Sequence, residues 1–497
     1  MLSNARIVSL FTIIAQVFAF LRTALIAYFF GASGEVDAYN LALAAPTLLS
    51  GVISGWLQSG FVGRYIALNH ENPEFANTFR VAIGQVVLII AILLSIVIFI
   101  AKAQLTDILV PISGDPRKPM IDIALSIAIW SLVPTVLSDF LGLVLNCHNR
   151  FGAAAAAPVL NAIVSALALW LWPLHNLNTL LITLILGWIT QLLFMLYAYN
   201  RIGLAILLLP KGVIEEVKAT LKLAIPTLPS VVLSNGTIVL IQIACSRLGE
   251  GAVAVYGYAS RLHSALTQIL IIGISTVLLP HLASLLSTKQ HDEIVRLFWK
   301  ISRATLLVCL FILSGVVFLG ESTVSTLFSR GKFDQTLSNS VWQAWTLLTL
   351  SLFPFALATF YAKLFQAMQR PHLLSISSLI SLIFTSLMCF AGASTSSITN
   401  IVLSPLIAQI FVLTFFTFNF KKFFSTSGIP PQSINAITKC FLIIAPAITS
   451  ELILRQLLTN TDTLIAFVIR VTTFLFLFIL ACRLLKATEW IQLNTAQ

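Results

Sequence analysis

Fourteen apolar runs of about 20 residues or more divide this 497-residue chain, and no polar interval between them exceeds about 25 residues. A run of that length, at about 1.5 Å per residue, matches the roughly 30 Å hydrocarbon core of a bilayer. The runs are continuous, with none of the alternation that marks a membrane β-barrel, so the spanning elements are helices. The expected fold is an all-α polytopic membrane protein with about 14 transmembrane helices. Only 9% of the residues are charged, against about 25% in soluble domains. The net charge of +11 therefore reads as basic loops facing anionic headgroups, not as a nucleic-acid surface.

Short loops leave no room for a soluble catalytic domain. No nucleotide-binding loop or nucleophile triad is present. The six cysteines, Cys147, Cys245, Cys309, Cys389, Cys440 and Cys482, lie in or beside apolar runs without metal-ligand spacing, and read as buried apolar thiols. The first run is about 25 residues long and lacks a basic leader, which suits a retained helix better than a cleaved signal. No metal or cofactor is expected.

An even number of spans puts both termini on one side. With the N-terminus inside, eighteen basic residues fall on inner segments and seven on outer ones, which fixes both termini in the cytoplasm. The chain also repeats. IAYFFGASGEVDAYNLA (26–42) and IACSRLGEGAVAVYGYA (243–259) each end a helix in a glycine-bearing turn and restart on a Val-x-x-Tyr segment. The expected organisation is an N-terminal lobe of helices 1–6 (1–200), a C-terminal lobe of helices 7–12 (201–422), and helices 13–14 with a cytoplasmic tail (423–497). Six helices separate the repeats, so they are parallel repeats about an axis along the membrane normal, with the substrate path between the two bundles.

Charges inside apolar runs are costly and mark function or pairing. Arg22 lies about eight residues before the first turn, roughly 12 Å deep at helical rise. Arg261 lies about ten residues into the eighth run, roughly 15 Å from the same outer face. Two arginines at one depth, one per bundle, suit a phosphate-bearing headgroup, because the guanidinium fork forms bidentate charge-assisted hydrogen bonds. Each could instead brace its bundle against an acid, for which Asp37 and Asp139 are the main candidates. Arg470 is a candidate for a groove beside the last two helices. Lys363 is placed to snorkel at an inner end.

Four stretches together resemble the MurJ/MviN lipid II flippases of the multidrug/oligosaccharidyl-lipid/polysaccharide exporter superfamily. They are FLRTALIAYFFGASGEVDAYNLALAAPTLL (20–49), LNCHNRFGAAAAAPVLN (145–161), YASRLHSALTQILIIGISTVLLPHLA (258–283) and LFSRGKFD (327–334), the last followed by FYAKLFQAMQRP (360–371). The resemblance implies a two-lobed fold that moves an undecaprenyl-pyrophosphate-linked saccharide from the inner to the outer leaflet of the bacterial inner membrane. By position it makes Arg22, Asp37 and Arg261 substrate-binding. The family's first helix-1 arginine falls on Gln16, its dibasic pair late in helix 2 on Ser50 and Gly51, and the acid after Arg22 is Thr23. The cavity is accordingly less positive than the family pattern.

The expected function is thus a flippase working by alternating access, with lipid II as substrate. Another lipid-linked oligosaccharide, such as an exopolysaccharide or O-antigen unit, is the alternative. Partners are the lipid-linked saccharide, membrane lipids and the cell-envelope synthesis machinery. Without an ATP site, the energy comes from an ion gradient or the membrane potential, worth about 2.3 kcal/mol per charge per 100 mV. A membrane-embedded polysaccharide ligase or polymerase would need a larger outer loop than those near 102–120 and 320–336. A scaffold that transports nothing is a third reading.

Overall fold

A helix immersed in lipid is apolar all round, and its two faces differ in partner, not in polarity. In the computed structural model, which describes residues 2–201, 213–225, 228–424, 432–458 and 463–484, the helix Pro73–Ile100 illustrates this. Ile83, Val87 and Ala91 are fully buried on one face, while Ile89, Leu93 and Val97, three positions of another, stay more than half exposed. The second set faces lipid. Thirteen helices among the described residues are long and apolar enough to cross a membrane, as expected for a protein of this class. The remaining expected span, 251–283, falls on a 36-residue helix, part of whose side chains lie outside the described residues.

The chain runs through α1 (Leu2–Phe30), α2 (Gly34–Trp56), a π turn (Leu57–Phe61), α3 (Val62–Glu71), α4 (Pro73–Ile100), α5 (Lys102–Leu109), α6 (Lys118–Ala128), α7 (Leu132–Cys147), α8 (Phe151–Leu171), α9 (Leu177–Asn200), α10 (Ile214–Ala224) and α11 (Leu228–Ser246). It continues through α12 (Ala252–Ser287), α13 (His291–Phe328), α14 (Gln335–Thr349), α15 (Leu352–Ala367), α16 (Pro371–Ser394), α17 (Ile398–Val402), α18 (Ser404–Phe424), α19 (Gln432–Leu457) and α20 (Thr463–Leu484). Contacts divide it into two units, 1–257 with 389–401, and 258–388 with 402–497.

In the first unit, α2, α4, α7 and α9 enclose a core around Trp56, Phe61, Phe79 and Phe140. Here α11 lies directly on α2. A Cβ on Gly51 would come within 2.7 Å of Asn235 Oδ1, and one on Gly55 within 2.9 Å of Val231 Cγ1. Gly51-Val-Ile-Ser-Gly55 is a small-xxx-small stripe that lets two backbones approach. The absence of a basic side chain at position 51, legible in sequence as a lost charge, is a packing requirement. The second unit centres on Phe298, whose ring lies 4.9 Å from Tyr361 and 5.1 Å from Phe420, and ties α19 and α20 to α13.

A further repeat is visible in three dimensions. The run expected at 121–146 breaks into α6 and α7 through a 3-10 turn at Ile129–Ser131, and that at 337–366 breaks into α14 and α15 at Leu350 and Ser351. Each break lies just before a Ser-Leu-x-Pro segment, Ser131–Pro134 and Ser351–Pro354. The proline lacks the N–H that would bond the carbonyl four residues back, so the helix tightens there. Both α7 and α15 then end alike. Asn149 and Gln369 take positive φ of 58° and 56°, and the amides of Arg150 and Arg370 return to Leu145 O and Phe365 O at 2.9 and 3.0 Å, a Schellman closure.

The stripe makes a prediction. Leucine at Gly55 drives a side chain into β-branched Val231, which has little rotamer freedom to yield. Gly55→Leu is expected to destabilise the first unit by about 1–3 kcal/mol, read as a lower melting temperature in detergent, whereas Gly63→Leu, with nothing within 4 Å of its Cβ position, leaves it unchanged.

Candidate functional site: a clasp on Asp37

The first turn of any helix carries backbone N–H groups with no partner inside the helix. The start of α12 solves this with a side chain from elsewhere. Asp37, in the first turn of α2, accepts hydrogen bonds from the amides of Gly251 and Ala254, each at 2.7 Å. Its negative charge also meets the positive end of the α12 dipole. Asp37 is 0% exposed, and a carboxylate so buried requires a cation. Arg117 supplies it, its NH1 lying 3.0 Å from Asp37 Oδ2.

Arg117 comes from the loop between α5 and α6, and its whole donor set is used. Nε donates to Asp115 Oδ1 at 3.0 Å, NH1 also to Gly249 O at 2.8 Å, and NH2 to Asp115 Oδ2 at 2.7 Å and Ser246 O at 2.6 Å. One guanidinium thus ties that loop, the head of α2, and the turn between α11 and α12. Glu250 adds a further link, accepting from the Gly34 amide at 2.6 Å.

Glycine is required where these turns meet. Gly251 has φ of +87°, and a Cβ there would stand 2.9 Å from Ala32 O. The clasp joins the two internal repeats at matching positions. Gly34 aligns with Gly251, Asp37 with Ala254, and Asn40 with Gly257; a Cβ on Gly257 would lie 2.9 Å from Asn40 Nδ2.

Arg22 belongs to the same unit. It is 7% exposed, with NH1 donating to Tyr39 OH at 2.8 Å and NH2 to Leu180 O at 3.1 Å. Among the described residues its Nε has no hydrogen-bond partner and no acid pairs with it. Arg261, in the second unit, is exposed and forms no ion pair among the described residues. Arg470 is buried in the second unit, donating through Nε to Glu451 Oε1 at 2.9 Å and through NH1 to Ser322 Oγ at 3.0 Å. This pairing braces α20 against α19 and α13. Ser50 donates to Thr47 O within its own helix at 3.1 Å. Arg64 binds Glu216 through Nε and NH2, both at 2.8 Å, holding α10 to α3. No metal-ligating cluster occurs among the described residues.

Sequence reading did not single out Arg117, Glu250 or Glu451. Arg117 sits in a short loop among outer basic residues, where nothing distinguishes it from a solvated charge. The repeat was the available signal for Glu250, since its turn aligns with that before Asp37.

Comparison with known proteins gives a consistent answer. The family described as lipid II flippase MurJ matches residues 26–484. The lipid II flippase MurJ of Burkholderia cenocepacia is 27% identical over 411 residues, covering 78% of this chain and 79% of that protein. A probable lipid II flippase MurJ of Helicobacter pylori is 25% identical over 428 residues, covering 79% and 89%. Among solved structures, a lipid II flippase MurJ in an inward closed conformation superposes with a TM-score of 0.81 at 18% identity, over 97% of this chain and 99% of that one. An inward-facing multidrug-resistance MATE transporter of the MOP superfamily superposes with a TM-score of 0.66 at 13% identity, covering 83% and 96%. These likenesses show the fold.

The clasp yields a testable asymmetry. Arg117→Ala leaves Asp37 buried and unneutralised, and is expected to cost about 3–5 kcal/mol, whereas the double variant Arg117→Ala with Asp37→Asn recovers part of the loss in melting temperature. The Arg117 guanidinium also holds the Asp115 carboxyl below the usual carboxylate range. A depressed carboxyl contributes stability above its unfolded value of about 4 and loses it as pH falls through the lower folded value. Melting temperature should therefore show no contribution from Asp115 titration between neutral and mildly acidic pH, and fall in stronger acid.

Proposed function

The chain belongs to the lipid II flippase MurJ family, and from that membership we propose that it carries lipid II from the inner to the outer leaflet of the bacterial cytoplasmic membrane by alternating access. It is a multi-pass membrane transporter, not an enzyme. The family match over 26–484 carries this reading. The clasp is consistent with it. Alternating access needs a closure on the outer side that can hold and let go, and a carboxylate shared by two backbone amides and one arginine is a closure made of exchangeable hydrogen bonds.

The roles follow from exposure and pairing. Arg261, exposed and free of ion pairs among the described residues, is proposed as a contact for the lipid II diphosphate. Arg22, buried without an acidic partner and with its Nε unused, is proposed as a second. Asp37 is proposed to act through the clasp, and is reachable by substrate only when the clasp is open. The lobes 1–200 and 201–422, with 423–497 appended, are proposed as the units that move. Both termini are proposed to be cytoplasmic, from the excess of inner basic residues. The cell-envelope synthesis machinery is proposed as the partner that supplies and consumes lipid II.

The experiment is reconstitution. Purified protein in liposomes should move labelled lipid II between leaflets, and absence of movement overturns the reading. Arg261→Ala is expected to abolish movement with unchanged melting temperature, because no partner is stranded. Arg261→Lys should restore part of it, since an ammonium lacks the bidentate fork. Full activity in the alanine variant removes Arg261 from the site. Reporter fusions at Gln497 and within the 102–120 loop should report opposite sides of the membrane.

A further inference from the structure

We infer that Asp139 is a proton-binding site that couples the transport cycle to a proton gradient through its hydrogen bond with Ser54. The cycle it couples to is the flippase cycle proposed above; the proton binding stands apart from it.

Asp139 is the acid that the pairing rule leaves over. Within the candidate spans, Asp37, Asp122, Glu293, Glu321 and Glu451 each pair with a basic side chain. Glu71, Glu74 and Asp292 stand exposed at helix ends. Glu35 lies in the first turn of α2 and accepts from the Leu177 amide at 3.3 Å. Asp139 lies eight residues before the inner end of α7, about 12 Å at helical rise, and is half-buried. Its partner is Ser54 on α2, whose hydroxyl donates to Oδ2 at 2.5 Å. It forms no ion pair among the described residues.

The neighbours supply no counter-charge. The elements packed on α7 are α2, α3, α4, α8 and α9. Their charged or titratable groups are Glu35, Asp37 and Tyr39 on α2; Arg64, Tyr65, His70 and Glu71 on α3; Glu74 and Arg80 on α4; and Tyr197 and Tyr199 on α9. The helix α8 has none. Arg64 is taken by Glu216, Arg80 lies over the Tyr199 ring, and Tyr65 bonds to His148.

An unpaired carboxylate at that depth is expensive, and taking up a proton removes the cost. A sodium ion would do so too, but hard cations need about six oxygens. The one side-chain oxygen bonded to the Asp139 carboxylate among the described residues is Ser54 Oγ. The proton fits.

Nor does the fold require the acid. The three-dimensional repeat that aligns Ser131 with Ser351 and Asn149 with Gln369 places Thr359 opposite Asp139. Thr359 spends its hydroxyl on Phe355 O within its own helix at 2.9 Å. The helix is built equally well without a carboxyl, so the carboxyl in the first half serves something else. Ser54 lies on α2, the helix whose first turn carries Asp37. Protonation at Asp139 changes what the inner half of α2 is bonded to, and the clasp changes its outer end. A proton that binds one access state more tightly than the other shifts the balance between them.

Two measurements test this. In nanodiscs, infrared titration with isotope-labelled aspartate should show one protonated carboxyl whose band depends on pH. It should vanish in Asp139→Asn, which keeps the size and an acceptor for Ser54, and move in Ser54→Ala. Identical spectra in wild type and Asp139→Asn overturn the proton site. In liposomes at zero potential, an imposed pH gradient should change the lipid II rate at least about fivefold, the low end of coupling between two sites, and Asp139→Asn should bring that ratio to one. An unchanged ratio in the variant overturns the coupling. A titrating carboxyl in a wild-type protein that moves no lipid II confirms the proton site and sinks the flippase reading instead.

Discussion

A carboxylate with no access to water must be neutralised where it stands, and the clasp is arranged around that demand. Asp37 is fully buried, so its two oxygens collect the α12 amides and the Arg117 guanidinium. Each of those groups had its own deficit. The amides are the orphan donors of a helix start, and Arg117 is a buried cation in the loop between α5 and α6. None of the three is stable alone in that place. Breaking any one exposes the other two, which makes the assembly cooperative and gives it two well-separated states, satisfied or open to water.

The same accounting separates the arginines. Arg117 and Arg470 find acids inside their own units and serve as braces. Arg22 finds a phenol and a carbonyl, which accept hydrogen bonds without cancelling charge. Arg261 forms no ion pair among the described residues. A transporter for an anionic headgroup needs cations that the fold has not already neutralised, which is why these two are the ones proposed to meet it. Small residues do the complementary work. Gly51 and Gly55 give up side chains so that α2 and α11 can touch, and at Gly51 the basic residue of the family pattern would hold them apart.

Internal duplication shows which features belong to the helical frame and which were added. The Ser-Leu-x-Pro breaks and the closures at Asn149 and Gln369 occur in both halves, because each solves a backbone problem that both halves share. Asp37 faces Ala254 at the matching position, and Asp139 corresponds to Thr359. At both places a carboxyl occurs once and its counterpart carries none. The asymmetric carboxyls are where the chain departs from a mere frame.

Spanning helices were legible directly, since an apolar run of about 20 residues in lipid has few alternatives to a helix. The turn repeat at 26–42 and 243–259 was legible as well, and it marked the place where the clasp forms. The depth of Arg22, Asp37 and Arg261 could be counted along each helix. What counting cannot give is the rotation of a helix about its axis or the partner across it. Arg117 looked like an ordinary loop cation, and Gly51 like a missing charge. Which acid pairs, which glycine is a contact and which carboxyl stays alone depend on side chains meeting from segments 80 to 220 residues apart. Hydropathy is a property of each segment by itself, while neutralisation in a membrane is a property of pairs, and pairs exist only once the helices have packed.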